Sequence, residues 1–235
     1  MNIESKKIVS FFKKIYGNGT GPSELKLNFG QTLTTSAINT EKTVLVEATM
    51  QPTEFVNYNP IGIMAVDDLK TLMTIIDSFG TVEIEKNDNL LTLKEKGKKA
   101  ETILTNPEFI QEAPRKELVF DELIEIDAKI INKFIDSAKL NKDFILKMRT
   151  APKQLILETD GKYKFTEVIE ATQANGGIEI KVGAPFLGMI GEFDGKITLK
   201  LKNNYPIQIQ EKTAGSIISA TVAPYMDQPV EEKEE

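Results

Sequence analysis

Lysines are the residues of this chain whose spacing could do chemistry. Lys6 and Lys13 stand seven apart, as do Lys7 and Lys14, and Lys129 and Lys133 stand four apart. On a helix each set shares a face away from the apolar stripe and forms a positive strip. Ammonium groups arranged this way attract phosphates. No aromatic side chains interleave with them, so they suit sequence-independent attraction rather than base readout.

The other candidates are weaker. Asp67 and Asp68, or Asp121, Glu122, Glu125 and Asp127, are neighbouring carboxylates of the kind that hold metals or run acid–base hydrolysis. Two of them fall at helix starts, where capping accounts for them, and no nucleophile, base and orienting group converge on either set. Gly17-Asn18-Gly19-Thr20-Gly21 has the glycines of a phosphate loop, but it follows a helix and no Gly-Lys-Ser/Thr closes it. The chain has no histidine and no cysteine. It therefore lacks the commonest general base, thiol nucleophiles, disulfides and zinc thiolate sites. The reading is a non-enzyme with no catalytic residue, no metal and no cofactor.

The elements that must position the lysines are written twice. Ile3-Glu4-Ser5-Lys6-Lys7-Ile8 with Phe11-Phe12 returns as Ile126-Asp127-Ala128-Lys129-Ile130-Ile131 with Phe134-Ile135. Leu45-Val46-Glu47-Ala48-Thr49 is echoed by Val168-Ile169-Glu170-Ala171-Thr172, and Phe79–Pro107 is echoed by the stretch from Gly195 to Pro224. An offset of roughly 115–125 residues marks a duplicated domain, not a short-period solenoid. Each copy reads as helix, strands, helix, strands. Helical spacing covers 2–16 and 66–79 in the first half and 127–140 and 184–193 in the second. Alternating strands lie within 24–56 and 82–104, then near 143–149, 153–159, 163–171, 177–182, 196–202, 205–211 and 216–222. Asp160-Gly161 and Asp194-Gly195 are turn signals. The expected fold is α+β, with two helices over a mainly antiparallel sheet in each half. Residues 1–105 form the first domain, 106–120 a connector broken by Pro107 and Pro114, 121–226 the second domain, and 227–235 an acidic tail too poor in apolar residues to fold.

With 40% apolar and 27% charged residues the chain reads as soluble and globular, and no apolar run is long enough for a membrane span. No signal core follows the first lysines, so export is not expected. The net charge of −6 argues against a simple nucleic-acid binder, but its distribution is uneven. Residues 1–16 carry four lysines and one glutamate, whereas 226–235 carry one lysine and five acids.

Ile61-Gly62-Ile63-Met64-Ala65-Val66-Asp67-Asp68-Leu69-Lys70, continuing to Asp77 and the strands ending at Thr105, resembles the first domain of DNA sliding clamps. Asn204-Tyr205-Pro206-Ile207-Gln208-Ile209, then Val222-Ala223-Pro224 and an acidic tail, resembles the end of the proliferating cell nuclear antigen family, with phage and archaeal-type clamps among plausible relatives. The similarity spans 1–226 in order.

The resemblance implies a ring around duplex DNA that acts as a DNA polymerase processivity factor and tethers other replication and repair enzymes. It further implies a clamp loader, clamp-binding peptides as partners, and an intracellular place beside the DNA, in a prokaryotic or virus-infected cell or a nucleus. Two domains per chain make three chains the count for six equivalent units, a homotrimer. Edges Lys98–Thr105 and Lys164–Ala171 would join neighbours. Lys6, Lys7, Lys13, Lys14, Lys129, Lys133, Lys139 and, more weakly, Lys70 would face DNA. A partner groove would draw on Ile38, Leu45, Phe109, Ile110, Pro206, Ala223 and Pro224. Two departures stand out. Ala220-Thr221-Val222 replace the aromatic the family commonly has before Ala-Pro, and the second helix of each half is acidic or short. The alternative reading is a clamp-fold subunit of a heteromeric ring or a transcription-coupling clamp.

Overall fold

A computed structural model describes the protein over residues 1–114, 117–141, 145–159 and 162–225. The start of the strand expected at 143–149, the turn at Asp160-Gly161, connector residues 115–116 and the acidic tail lie outside the described residues.

In the first half β1 (Asn2–Glu4) leads into α1 (Ser5–Tyr16), followed by β2 (Leu25–Phe29), β3 (Leu33–Ile38), β4 (Val44–Met50) and β5 (Gly62–Val66). Then come α2 (Leu69–Asp77), β6 (Thr81–Asn87), β7 (Leu90–Glu95) and β8 (Lys98–Ile103). The second half repeats the order with β9 (Glu122–Asp127), α3 (Ala128–Ala138), β10 (Leu146–Ala151), β11 (Gln154–Thr159), β12 (Phe165–Glu170) and β13 (Glu179–Val182). It closes with α4 (Ala184–Ile190), β14 (Lys196–Leu201), β15 (Ile207–Lys212) and β16 (Ser216–Val222).

The α+β, antiparallel reading is correct, but the sheets are not one per half. β1-β6-β7-β8 and β12-β11-β10-β13 are separate four-stranded sheets, while β5-β2-β3-β4-β16-β15-β14-β9 is an eight-stranded sheet shared by both halves. Its seam is the antiparallel pairing of β4 with β16, from Ser216 opposite Met50 to Val222 opposite Val44. The helix expected at 2–16 starts three residues late, because Ile3 lies in β1 opposite Val82. β5 and β9 were not foreseen as separate strands.

Among the described residues α1, α2 and α3 are amphipathic, and the short α4 is apolar throughout. Ile8, Phe11, Phe12 and Ile15 of α1 and Ile131, Phe134 and Ile135 of α3 point into one continuous core. α1 packs beside α2 on one side and touches α4 on the other, while α3 packs beside α4. The row thus runs α2, α1, α4, α3. Gly188 of α4 has no room for a side chain, because a Cβ there would sit 2.5 Å from Thr20. That close approach docks α4 against the loop that ends α1.

The register corrects one repeat. Leu25 faces Val66 before α2 as Leu146 faces Val182 before α4. Phe29 then faces Leu33 as Thr150 faces Leu155, and Leu33 faces Met50 as Leu155 faces Ile169. Met50 therefore corresponds to Ile169, and Val46 to Phe165. The echo of 45–49 in 168–172 is displaced four residues along the strand. Hairpin turns of different length in the two halves cause the slip.

Candidate interfaces on the helix face and the sheet face

α1 presents its lysines in two environments. Lys6 and Lys13 are exposed. Lys7 lies 3.4 Å from Glu54 and is half exposed. Lys14 was expected on the same open strip but is drawn inward. Its Nζ donates to Glu211 Oε2 at 2.6 Å, with Asp194 at 4.0 Å, and the two bonded side chains are only 13% and 5% exposed. The ammonium also sits 5.9 Å from the Phe193 ring centre. All three neighbours belong to the second half, so Lys14 serves as a staple between the halves.

On α3, Lys129 and Lys133 are exposed, and Lys139 at the helix end pairs with Asp136 at 2.6 Å. Lys70 is exposed on α2. α4 carries no charge at all. Just past its end, burial raises the Glu192 carboxyl above the usual carboxylate range, and nearby Lys13 opposes that shift. The open positive charge of the helix row is thus concentrated on α1 and α3.

Asp67 and Asp68 are explained locally. Asp67 accepts from Thr105 Oγ1 at 2.7 Å, and Asp68 caps α2 by accepting from the Thr71 amide at 2.9 Å and its hydroxyl at 2.6 Å. Those bonds from Thr71 hold the Asp68 carboxyl below its ordinary range. Among the described residues no three His, Cys, Asp or Glu side chains gather to hold a metal, and no helix is long and apolar enough to cross a membrane.

The opposite face of the shared sheet carries the groove candidates. Ile38 and Leu45 are cross-strand partners and half-buried, and the row continues to Thr221 and Gln208. Gln208 Nε2 donates to Thr221 Oγ1 at 3.0 Å, so the position where the family commonly has an aromatic is a buried polar pair. The connector is pinned by Lys26 to Glu112 at 3.2 Å and by Phe120 standing edge-on to Tyr205, next to half-buried Pro206. Its two apolar residues part company. Ile110 is buried, whereas Phe109 is 79% exposed.

Ala223 and Pro224 line a cavity of about 680 Å³ with Thr43, Gly183, Ala184, Pro185 and Tyr225. Phe109, Ile38, Leu45 and Pro206 do not reach it. Tyr225 and the start of α4 were missed by sequence reasoning, although an aromatic directly after Ala-Pro was a visible signal. Backbone bonds from Ala223 to Thr43 and from Tyr225 to Lys181 fix this wall.

Two of the strands that end the sheets matter for assembly. β8 ends one four-stranded sheet and β12 the other, and among the described residues no strand covers either. Ile103 on β8 is 80% exposed and Val168 on β12 56%.

No family model matches the sequence. It is 25% identical over 181 residues to a DNA polymerase sliding clamp of Nanoarchaeum equitans, covering 68% of this chain and 73% of that one. The fold matches A. fulgidus PCNA, solved with the C-terminal region of FEN-1 bound, with a TM-score of 0.85 at 18% identity over 97% of this chain and 98% of the other. It also matches Thermococcus kodakaraensis PCNA (TM-score 0.80, 15% identity, 96% and 99% covered) and the PCNA2–PCNA3 complex of Sulfolobus tokodaii (0.76, 14%, 95% and 99%). The chain folds as these DNA clamps do.

Proposed function

We propose that this chain is the protomer of a DNA sliding clamp. It encircles duplex DNA, keeps a DNA polymerase on its template and tethers other replication and repair enzymes, with no catalysis of its own. Three copies close head to tail, a loader opens the ring, and the protein works inside the cell beside the DNA. Residues 1–105 and 121–226 act as its two domains, with 106–120 as connector.

The observation that carries this reading is the half-used joint. β4 of the first half pairs with β16 of the second inside the chain. Their counterparts, β12 and β8, each end a four-stranded sheet, with no strand paired on the outer side among the described residues. A heterologous contact repeated with the same rotation closes into a ring, and closure hides edges that would otherwise aggregate. The exposed Lys6, Lys13, Lys129, Lys133 and Lys70 on the helix row supply phosphate attraction without base contacts, which lets DNA slide. The cavity at Ala223-Pro224 and, apart from it, Ile38, Leu45 and the exposed connector residue Phe109 supply the apolar surface on which partner peptides dock.

Light scattering over a dilution series tests the assembly, with a mass near three times 26.2 kDa expected. Retention on nicked circular DNA, lost when the circle is cut, tests encirclement. Equal retention on circular and linear DNA would sink the topological mechanism.

A further inference from the structure

Because the halves are built alike, the joint made inside the chain specifies how the open joint is made. At the internal seam Ile218 faces Ala48, Ser219 faces Glu47, Ala220 faces Val46 and Thr221 faces Leu45. On the β8 side, Glu83 faces Lys94 as Thr198 faces Gln210, and Lys94 faces Lys99 as Gln210 faces Ser219. Lys99 is therefore the counterpart of Ser219. On the β12 side the register already makes Phe165 the counterpart of Val46, so Thr166 corresponds to Glu47.

We propose that β8 pairs with β12 of a second copy in this transferred register. Lys98 then stands opposite Glu167, Lys99 opposite Thr166, Ala100 opposite Phe165 and Glu101 opposite Lys164. The chemistry agrees at three of the four positions. Lys98–Glu167 and Glu101–Lys164 are both opposite-charge cross-strand pairs, the arrangement that favours one pairing over its neighbours. Ala100 and Phe165 are each only partly buried on the rim of the core, so facing each other they extend it across the joint. The register suggested by the 45–49/168–172 echo is four residues away. It would set Lys98 opposite Ala171 and Glu101 opposite Val168, keeping only Lys99–Glu170 as a charge pair.

This inference rests on the clamp reading and narrows it. The two edges of this one chain complement each other, so the neighbour in the ring is another copy of the same chain and not a different clamp subunit.

The chain has no cysteine, so engineered pairs report the register cleanly. In the full-length protein, Lys99→Cys with Thr166→Cys should cross-link under mild oxidation into a covalent three-chain species on a non-reducing gel. Lys99→Cys with Glu170→Cys should not. Opposed residues hold their Cβ atoms about 4.5–5.5 Å apart. Four residues along a strand adds roughly 13 Å, far beyond disulfide reach. In solution Glu101→Lys should lower the mass from three chains to one, and adding Lys164→Glu should restore it. Cross-linking through 99 and 170 in a three-chain species would overturn the register and leave the ring standing. Glu101→Lys protein that keeps the three-chain mass would overturn the charge matching. An unmodified chain that stays single at every concentration would overturn the ring reading and this inference together.

Discussion

The two joints differ in what holds them. Inside the chain, the β4–β16 seam is backed on the helix side by Lys14 from α1 and Glu211 from β15, both nearly out of solvent. The repeat puts Ser137 where Lys14 would be in the second half, since Glu4-Ser5 corresponds to Asp127-Ala128. Glu95 holds the position of Glu211 in the first half. It takes backbone N–H bonds from Gly80 and Thr81 at 3.0–3.2 Å instead of a lysine. In the proposed ring the joint between copies therefore lacks the staple and relies on strand pairing and exposed charge pairs that salt screens. The proposed ring then has one permanent joint per chain and one weaker joint at which it can open.

The largest expected effect breaks the staple. Lys14→Ala leaves the nearly buried Glu211 charge unpaired and should cost about 3 kcal/mol in chemical denaturation, and Glu211→Gln, which leaves Lys14 only the more distant, exposed Asp194, should cost somewhat less. Lys14→Met with Glu211→Leu should recover most of that loss, because a hydrophobic replacement of a buried pair is often neutral. Glu95→Gln, at the half-buried counterpart, should change stability far less, because backbone amides and not a lysine face it. Equal losses at 95 and 211 would remove the distinction between the joints.

Next in size is a contrast within α1. Lys6→Ala, Lys13→Ala and Lys129→Ala should each weaken DNA retention and flatten its dependence on log salt, by about 0.9 for each phosphate that is no longer neutralised. Lys14→Ala should leave that slope unchanged, since its charge is already spent on Glu211. Titrating retention on circular DNA from low to high salt separates the two outcomes. A slope that falls with Lys14→Ala as much as with Lys13→Ala would return Lys14 to the open strip.

Much of the α+β architecture was legible in the chain, and the reasons for the misses are physical. Helical spacing at Ile8, Phe11, Phe12 and Ile15 and at Ile131, Phe134 and Ile135 carried α1 and α3, because amphipathicity is a local signal. Ile3 fitted the same stripe but belongs to β1, where pairing with Val82 overrides it. The shared sheet was invisible, since its seam joins strands from opposite ends of the chain. Lys14 looked like Lys13 from its spacing, but its partner lies 197 residues away. In the connector, neither composition nor order says that Ile110 turns inward while Phe109 stays out. The echo at 168–172 misled because likeness of residues does not record the length of a turn.

A smaller effect compares the starts of the two second helices. Asp68 caps α2, whereas α4 begins at Gly183 with no side-chain cap. Asp68→Ala should cost about 1 kcal/mol. Hydrogen bonds from Thr71 lower the Asp68 pKa in the folded state. Its contribution is therefore fully present above the ordinary aspartate range and lost as pH falls through the depressed value. Thermal melts at neutral and acid pH should show the wild-type advantage shrinking as pH drops. A gap that stays constant would mean the cap does not act as a carboxylate.

The smallest expected effect lies at the other ends of these helices. The Lys98 ammonium donates to the Ser78 carbonyl at the end of α2, where positive charge suits the helix dipole. α4 instead ends beside Glu192, a carboxylate at the negative end of a helix, partly buried, with Lys13 as its opposing charge. Burial raises the Glu192 pKa in the folded state, so folding favours the neutral acid. The stability this gives is full below the ordinary glutamate range and is lost as pH rises through the raised value. Glu192→Gln should thus gain roughly 0.5 kcal/mol at neutral pH, the scale of an end-charge interaction, and nothing at low pH. The same change removes a negative charge beside Lys13, so it should also strengthen DNA retention at low salt. A variant no more stable at neutral pH than in acid would mean Glu192 is solvated well enough to ionise freely, and the ends of α2 and α4 would then differ only in sequence.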